Sequence, residues 1–133
     1  MIAGTVNVNR EPIVRLTLHD TNGREHEFDV LVDTGFTAWL TLPPDIIGAL
    51  GLSWREWSAA TLADGSRIVF DVYNATVLWD GQVIHIPVDE ADAHPLVGMA
   101  LMDGYRIIIE DDDSASIHIL HNYTITVHQC HSD

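Results

Sequence analysis

The chain has 133 residues, enough for one domain with a real core, and 47% of them are hydrophobic, unlike a disordered chain. Twenty acidic residues stand against six arginines and no lysine; the resulting formal charge of −14, with histidine neutral, argues against nucleic acid and anionic lipid as partners. No apolar run approaches the length of a membrane span, Met1 to Arg10 lacks a signal-peptide pattern, and Cys130 is the only cysteine, so a reducing, cytoplasmic location is expected.

Alternating and β-branched runs dominate the chain. Ala3 to Asn9, Ile13 to His19 and His26 to Val32 read as strands, and Thr21-Asn22-Gly23 turns the second into the third. Trp39 to Leu42 reads as a short strand. Pro43-Pro44 then opens a short helix, Asp45 to Leu50, which Gly51 closes. Trp54 to Ala63 fits neither period cleanly, and Ala63-Asp64-Gly65-Ser66 is a turn. Arg67 to Tyr73, Ala75 to Trp79 and Gln82 to Val88 read as three strands, the last two joined through Asp80-Gly81. Pro95-Leu96-Val97-Gly98 is a short apolar piece, and Met99 to Asp103 has room for one or two helical turns before Gly104. Tyr105 to Glu110 and Ser116 to Leu120 read as strands around the acidic turn Asp111-Asp112-Asp113, with a further strand expected at Tyr123 to His128. Short strands, close turns and one or two short helices predict an all-β domain, a small closed barrel or sandwich.

Asp33 draws the chemistry. It ends the apolar run Val30-Leu31-Val32 and is followed by Thr34-Gly35. A carboxylate at the end of a buried strand is costly unless it is hydrogen-bonded. Gly35 permits a tight turn whose N–H groups can face that carboxylate, and Thr34 adds a hydroxyl able to bond backbone. Taken alone the tripeptide is weak evidence: Asp-[Ser/Thr]-Gly is expected by chance about 0.1 times in a chain of this composition.

Further blocks agree, in order. Leu31-Val32-Asp33-Thr34-Gly35-Phe36-Thr37 leads to Leu40-Thr41-Leu42-Pro43 and the helix reaching Leu50-Gly51-Leu52. Leu62-Ala63-Asp64-Gly65-Ser66 follows, then Pro95-Leu96-Val97-Gly98-Met99-Ala100-Leu101-Met102 and the strand Tyr105 to Ile109. This pattern resembles the retropepsin-like aspartic proteases, in particular their small single-domain bacterial members, over roughly residues 3 to 120. The resemblance implies a small closed acid-protease barrel at 1–120, with 121–133 as an extension. It implies a homodimer in which each chain gives one Asp33 to a shared dyad. Thr34 would interlock with its mate, Gly35 would approach the substrate by its backbone, and Ala63, Asp64, Gly65 and Ser66 would form a flap over the cleft. Leu96, Val97 and Gly98 would pack beneath the Asp33 loop. The expected activity is endopeptidase hydrolysis of a peptide or protein substrate, without cofactor or metal. Phe36-Thr37 departs from the more familiar residues after Asp-Thr-Gly and implies a bulkier cleft wall. The rival reading is a non-catalytic, protease-like dimer that binds a peptide or serves assembly.

Other constellations weigh less. His118, His121, His128, Cys130 and His131 match no well-specified metal spacing, and residues i and i+3 of a strand face opposite ways, so surface histidines are the simpler reading. Asp111-Asp112-Asp113 lacks the spaced ligands of a calcium loop. Asp89, Glu90 and Asp92 read as a loop before Pro95, one that would favour basic substrate residues if it lay near the cleft. Trp39, Trp54, Trp57 and Trp79 read as core or interface residues.

Overall fold

The structure is a computed structural model that describes residues 1–121. Its strands are β1 (Ile2–Val6), β2 (Pro12–His19), β3 (Glu25–Val32), β4 (Leu40–Leu42), β5 (Ser53–Thr61), β6 (Arg67–Trp79), β7 (Gln82–Glu90), β8 (Leu96–Val97), β9 (Tyr105–Glu110) and β10 (Ser116–His121). One helix, α1 (Pro44–Leu50), lies between β4 and β5. The strands run in the order β5-β6-β7-β4-β8-β3-β2-β1-β10-β9, and β6 also pairs with β2, which closes a ring. One edge of β2 is divided to allow this. Its first residues pair with β1 through Thr5 opposite Ile13, and its last pair with β6 through Thr17 opposite Leu78.

Alternation sets the inside of the ring. Val14, Leu16 and Leu18 on β2 are buried, as are Val30 and Val32 on β3, Val77 and Trp79 on β6, and Ile86 and Val88 on β7. Ile117 and Ile119 of β10 join the same core. α1 begins with Pro44, whose missing N–H costs nothing at a helix start, and buries Ile47 and Leu50. It ends at Gly51, held at φ +67°, where the Gly51 N–H bonds the Gly48 carbonyl.

Three expectations need revision. The two strands expected at 67–73 and 75–79 are one, β6, because Asn74 pairs on one side with Ser53 and on the other with Pro87, so both neighbouring ladders run through it. The ambiguous stretch after Trp54 is strand β5, with a register shift between Trp54 and Glu56. Residues 99–103 are successive turns and not a helix. Their bonds run Leu101 N–H to Gly98 and Met102 N–H to Met99, while the Met99 and Ala100 N–H groups donate to the carbonyls of Phe36 and Ala38. The Leu101 and Met102 N–H groups thus bond three residues back and not four, which is a turn and not an α-helical pattern. The strand expected at 123–128 lies outside the described residues. Trp79 is buried and Trp39 packs against the core, but Trp54 and Trp57 are exposed on the β5–β6 hairpin. Among the described residues no helix is long and apolar enough to cross a membrane.

Candidate active site

Asp33 directly follows β3, and its backbone is fixed from both sides. Its N–H donates to the Val97 carbonyl at 3.0 Å, and its own carbonyl accepts the Phe36 N–H at 3.1 Å. The side chain folds back over the turn, where Oδ1 accepts the Gly35 N–H at 2.9 Å. Asp33 is half-buried as a residue, while Thr34 and Gly35 are exposed. A strand end thus presents an oriented carboxylate at the surface of the ring.

The support beneath it is a crossing of three short segments. β8 runs parallel to β3, with Leu31 opposite Leu96 and Val32 opposite Val97, and antiparallel to β4, with Leu40 opposite Val97. The Thr41 side chain is buried and its Oγ1 accepts the Leu96 N–H at 3.2 Å. Gly98 N–H donates to the Trp39 carbonyl at 3.0 Å. A Cβ on Gly98 would collide with the Ala38 carbonyl and would lie 2.7 Å from the Phe36 carbonyl oxygen. Only glycine lets the chain pass this close to the Asp33 loop. Leu96, Val97 and Gly98 are therefore brought together with Asp33 although more than sixty positions separate them.

Ala63, Asp64, Gly65 and Ser66 form the turn of the long β5–β6 hairpin, and all four are exposed. The turn closes through Gly65 N–H to the Leu62 carbonyl and Leu62 N–H to the Ser66 carbonyl. Asp64 Oδ1 accepts both the Ser66 hydroxyl, at 2.6 Å, and the Ser66 N–H, and these bonds hold the Asp64 carboxyl below the usual range. This is turn chemistry.

Two depressions flank the Asp33 loop. One, of about 370 Å³, is lined by Asp33, Thr34, Pro12, Leu96, Ile109 and Arg10, among others. The other, of about 410 Å³, lies between the β5–β6 hairpin and the end of β7; Phe36 and Phe70 line it together with Asp89, Glu90 and Asp92. From the sequence, Asp89, Glu90 and Asp92 are expected as a loop before Pro95. Asp89 and Glu90 instead close β7, and Asp89 sits opposite Val72 of β6 and Thr41 of β4. Burial raises the Asp89 carboxyl above its ordinary range. The sequence signals for this wall are the acidic run Asp89, Glu90 and Asp92, expected to favour basic substrate residues if near the cleft, and the bulky Phe36, which lies against Gly98 and lines the cavity.

Among the described residues no group of three or more His, Cys, Asp or Glu is arranged to hold a metal ion. His118 and His121 share β10, and the His121 ring meets Tyr105 edge-on at 5.4 Å. His128, Cys130 and His131 lie outside the described residues.

No protein-family model matches the sequence, and no curated protein matches it. Solved structures do match the fold. EIAV protease, in complex with the inhibitor HBY-793, superposes with a TM-score of 0.57 at 18% identity, over 74% of this chain and 91% of that one. A retropepsin-like aspartic protease from Rickettsia conorii superposes with a TM-score of 0.55, also at 18% identity, over 89% of this chain and 86% of that one. The closed ring of strands, the crossing of β3, β4 and β8, and these two likenesses identify the chain as having the retropepsin-like aspartic protease fold.

Proposed function

We propose that the protein is an aspartic endopeptidase whose active site forms when two copies each contribute Asp33. The observation that carries this reading is the Asp33 loop itself. A carboxylate oriented by the Gly35 N–H stands at a strand end in a fold shared with aspartic proteases. The second crossing segment, Leu96-Val97-Gly98, carries no acid, so one chain supplies half of a dyad. Thr34 and Gly35, exposed beside Asp33, form the surface that would meet the twofold mate.

The chemistry follows from bringing like charges together. Two carboxylates about 3 Å apart cannot both ionise easily, so they share one proton. The ionised member takes a proton from a bound water, which attacks the peptide carbonyl. The protonated member donates to the carbonyl oxygen, giving a tetrahedral diol. Proton return to the amide nitrogen then lets the C–N bond break. The β5–β6 hairpin, with Ala63 to Ser66 at its turn, would close over the substrate and exclude water.

The test is hydrolysis of a cleavable peptide by the wild type and by Asp33→Asn. Loss of at least about 10³-fold in kcat/KM is expected, since the variant removes both acid and base roles. Unchanged hydrolysis would exclude Asp33 as the catalytic acid. Tight peptide binding without cleavage by the wild type would favour a protease-like binding module instead.

A further inference from the structure

The cavity between the hairpin and the end of β7 has two unlike walls. Its apolar wall is built by register. Ala60 faces Ile68, Ser58 faces Phe70 and Glu56 faces Val72, so Ile68, Phe70 and Val72 share one side of β6. Asp89 lies opposite Val72 and therefore projects from that same side. Phe36, three residues after Asp33, completes the apolar surface.

The carboxylate wall is unevenly committed. Glu90, next along β7, projects from the opposite face, where burial and the Glu90 charge raise the Tyr73 hydroxyl above its ordinary range. The Asp89 carboxylate has no hydrogen bond or ion pair among the described residues, although it is half-buried. The chain has no lysine, and none of its six arginines lines the cavity. An unpaired, partly desolvated carboxylate is destabilising, and no arginine or histidine among the described residues lines the cavity to offset it, which leaves room for a ligand's cation.

We propose that this cavity is a specificity subsite for a lysine or arginine side chain of the peptide substrate, with Asp89 as the residue that reads its charge. The inference rests on the peptidase reading and extends it to substrate class. Phe36, Ile68 and Phe70 offer a surface for the aliphatic stem, and Asp89 meets the cationic head, with exposed Asp92 at the rim. A purely apolar side chain would cover the carboxylate and leave it unpaired. An acidic one would be repelled. The surrounding charge of −14 adds long-range attraction for basic peptides.

The test presents the full chain with a random octapeptide mixture and reads cleavage sites by mass spectrometry, with Asp33→Asn as control. Lysine and arginine should be enriched at one fixed position near the scissile bond. Matched peptides carrying lysine or norleucine at that position should then differ at least about tenfold in kcat/KM for the wild type, and Asp89→Asn should bring the ratio close to one. A ratio does not depend on the fraction of folded protein, so partial misfolding of the variant cannot mimic the result. A wild-type ratio near one, or a ratio undiminished in Asp89→Asn, overturns the subsite. Cleavage that survives in Asp33→Asn, or no cleavage at all, defeats the peptidase reading separately. In that event the same pair with a reduced-amide link is titrated by calorimetry. Tighter binding of the lysine peptide that Asp89→Asn removes still supports the subsite, and equal affinities overturn it.

Discussion

Gly98 and Thr41 show how single residues hold Asp33 in place. Gly98 lies where the chain passes under the loop after Asp33, against the Phe36 ring and the Ala38 carbonyl. Gly98→Ala must push that loop outward, so a loss of about 1–3 kcal/mol in urea unfolding is expected, as for other overpacked sites. An unchanged midpoint would mean that the crossing yields without cost. Thr41→Val keeps the shape but removes the acceptor of the Leu96 N–H, leaving a donor unmatched beside a buried side chain. That variant should lose about 1–3 kcal/mol, read from the same titration. Asp89 has the opposite sign. Its carboxyl is raised in the folded state, so the folded chain holds the proton more tightly than the unfolded one. Ionised Asp89 therefore weakens the fold above the ordinary carboxylate range, and the penalty vanishes as pH falls below that range. Asp89→Asn should raise the melting temperature at neutral pH and lose that advantage in acid; a lower melting temperature at neutral pH would contradict it.

At the scale of elements, much was legible and the omissions have physical causes. β2, β3, β9 and β10 follow from alternation and turn residues, and α1 from its two prolines and Gly51, because in each the local pattern and the tertiary burial agree. β6 reads from sequence as two strands parted at Asn74, where a polar residue interrupts the apolar pattern, although paired strands on both sides carry the ladder across. Residues 99–103 read as helical because Met99 to Met102 are good helix formers, yet Leu101 and Met102 bond three residues back while Met99 and Ala100 bond the Phe36 and Ala38 carbonyls, contacts that sequence spacing does not reveal. For the same reason Asp33 is visible as a motif, whereas Asp89, Glu90 and Asp92 are visible only as an acidic run: their place in the cavity depends on registering β7 against β6 and β4. The β5–β6 hairpin adds a prediction of its own. Its turn is exposed and joined to the core only through the two strands, so amides of 62–66 should exchange with solvent orders of magnitude faster than those of Leu16 or Val30. Exchange at core rates in the free chain would rule out a hairpin that opens to admit substrate.

For the molecule as a whole, charge sets the terms of association. Two chains at −14 repel each other, so pairing should strengthen with salt. Acid works against the fold at lower pH. Asp20 is held down chiefly by its hydrogen bond to His26, and Asp80 by the N-terminal amine at 2.7 Å; depressed carboxyls stabilise above the ordinary range and lose that effect as pH falls through their folded values. The central claim, that one catalytic centre needs Asp33 from two chains, is tested most directly by subunit mixing. Wild type and Asp33→Asn are exchanged at constant total concentration and peptide hydrolysis is measured against the wild-type fraction. A shared dyad predicts a quadratic decline, to about one quarter of full activity in an equal mixture, because mixed dimers hold only one Asp33. A linear decline, to about one half, would mean that each chain carries a complete site and would contradict the account.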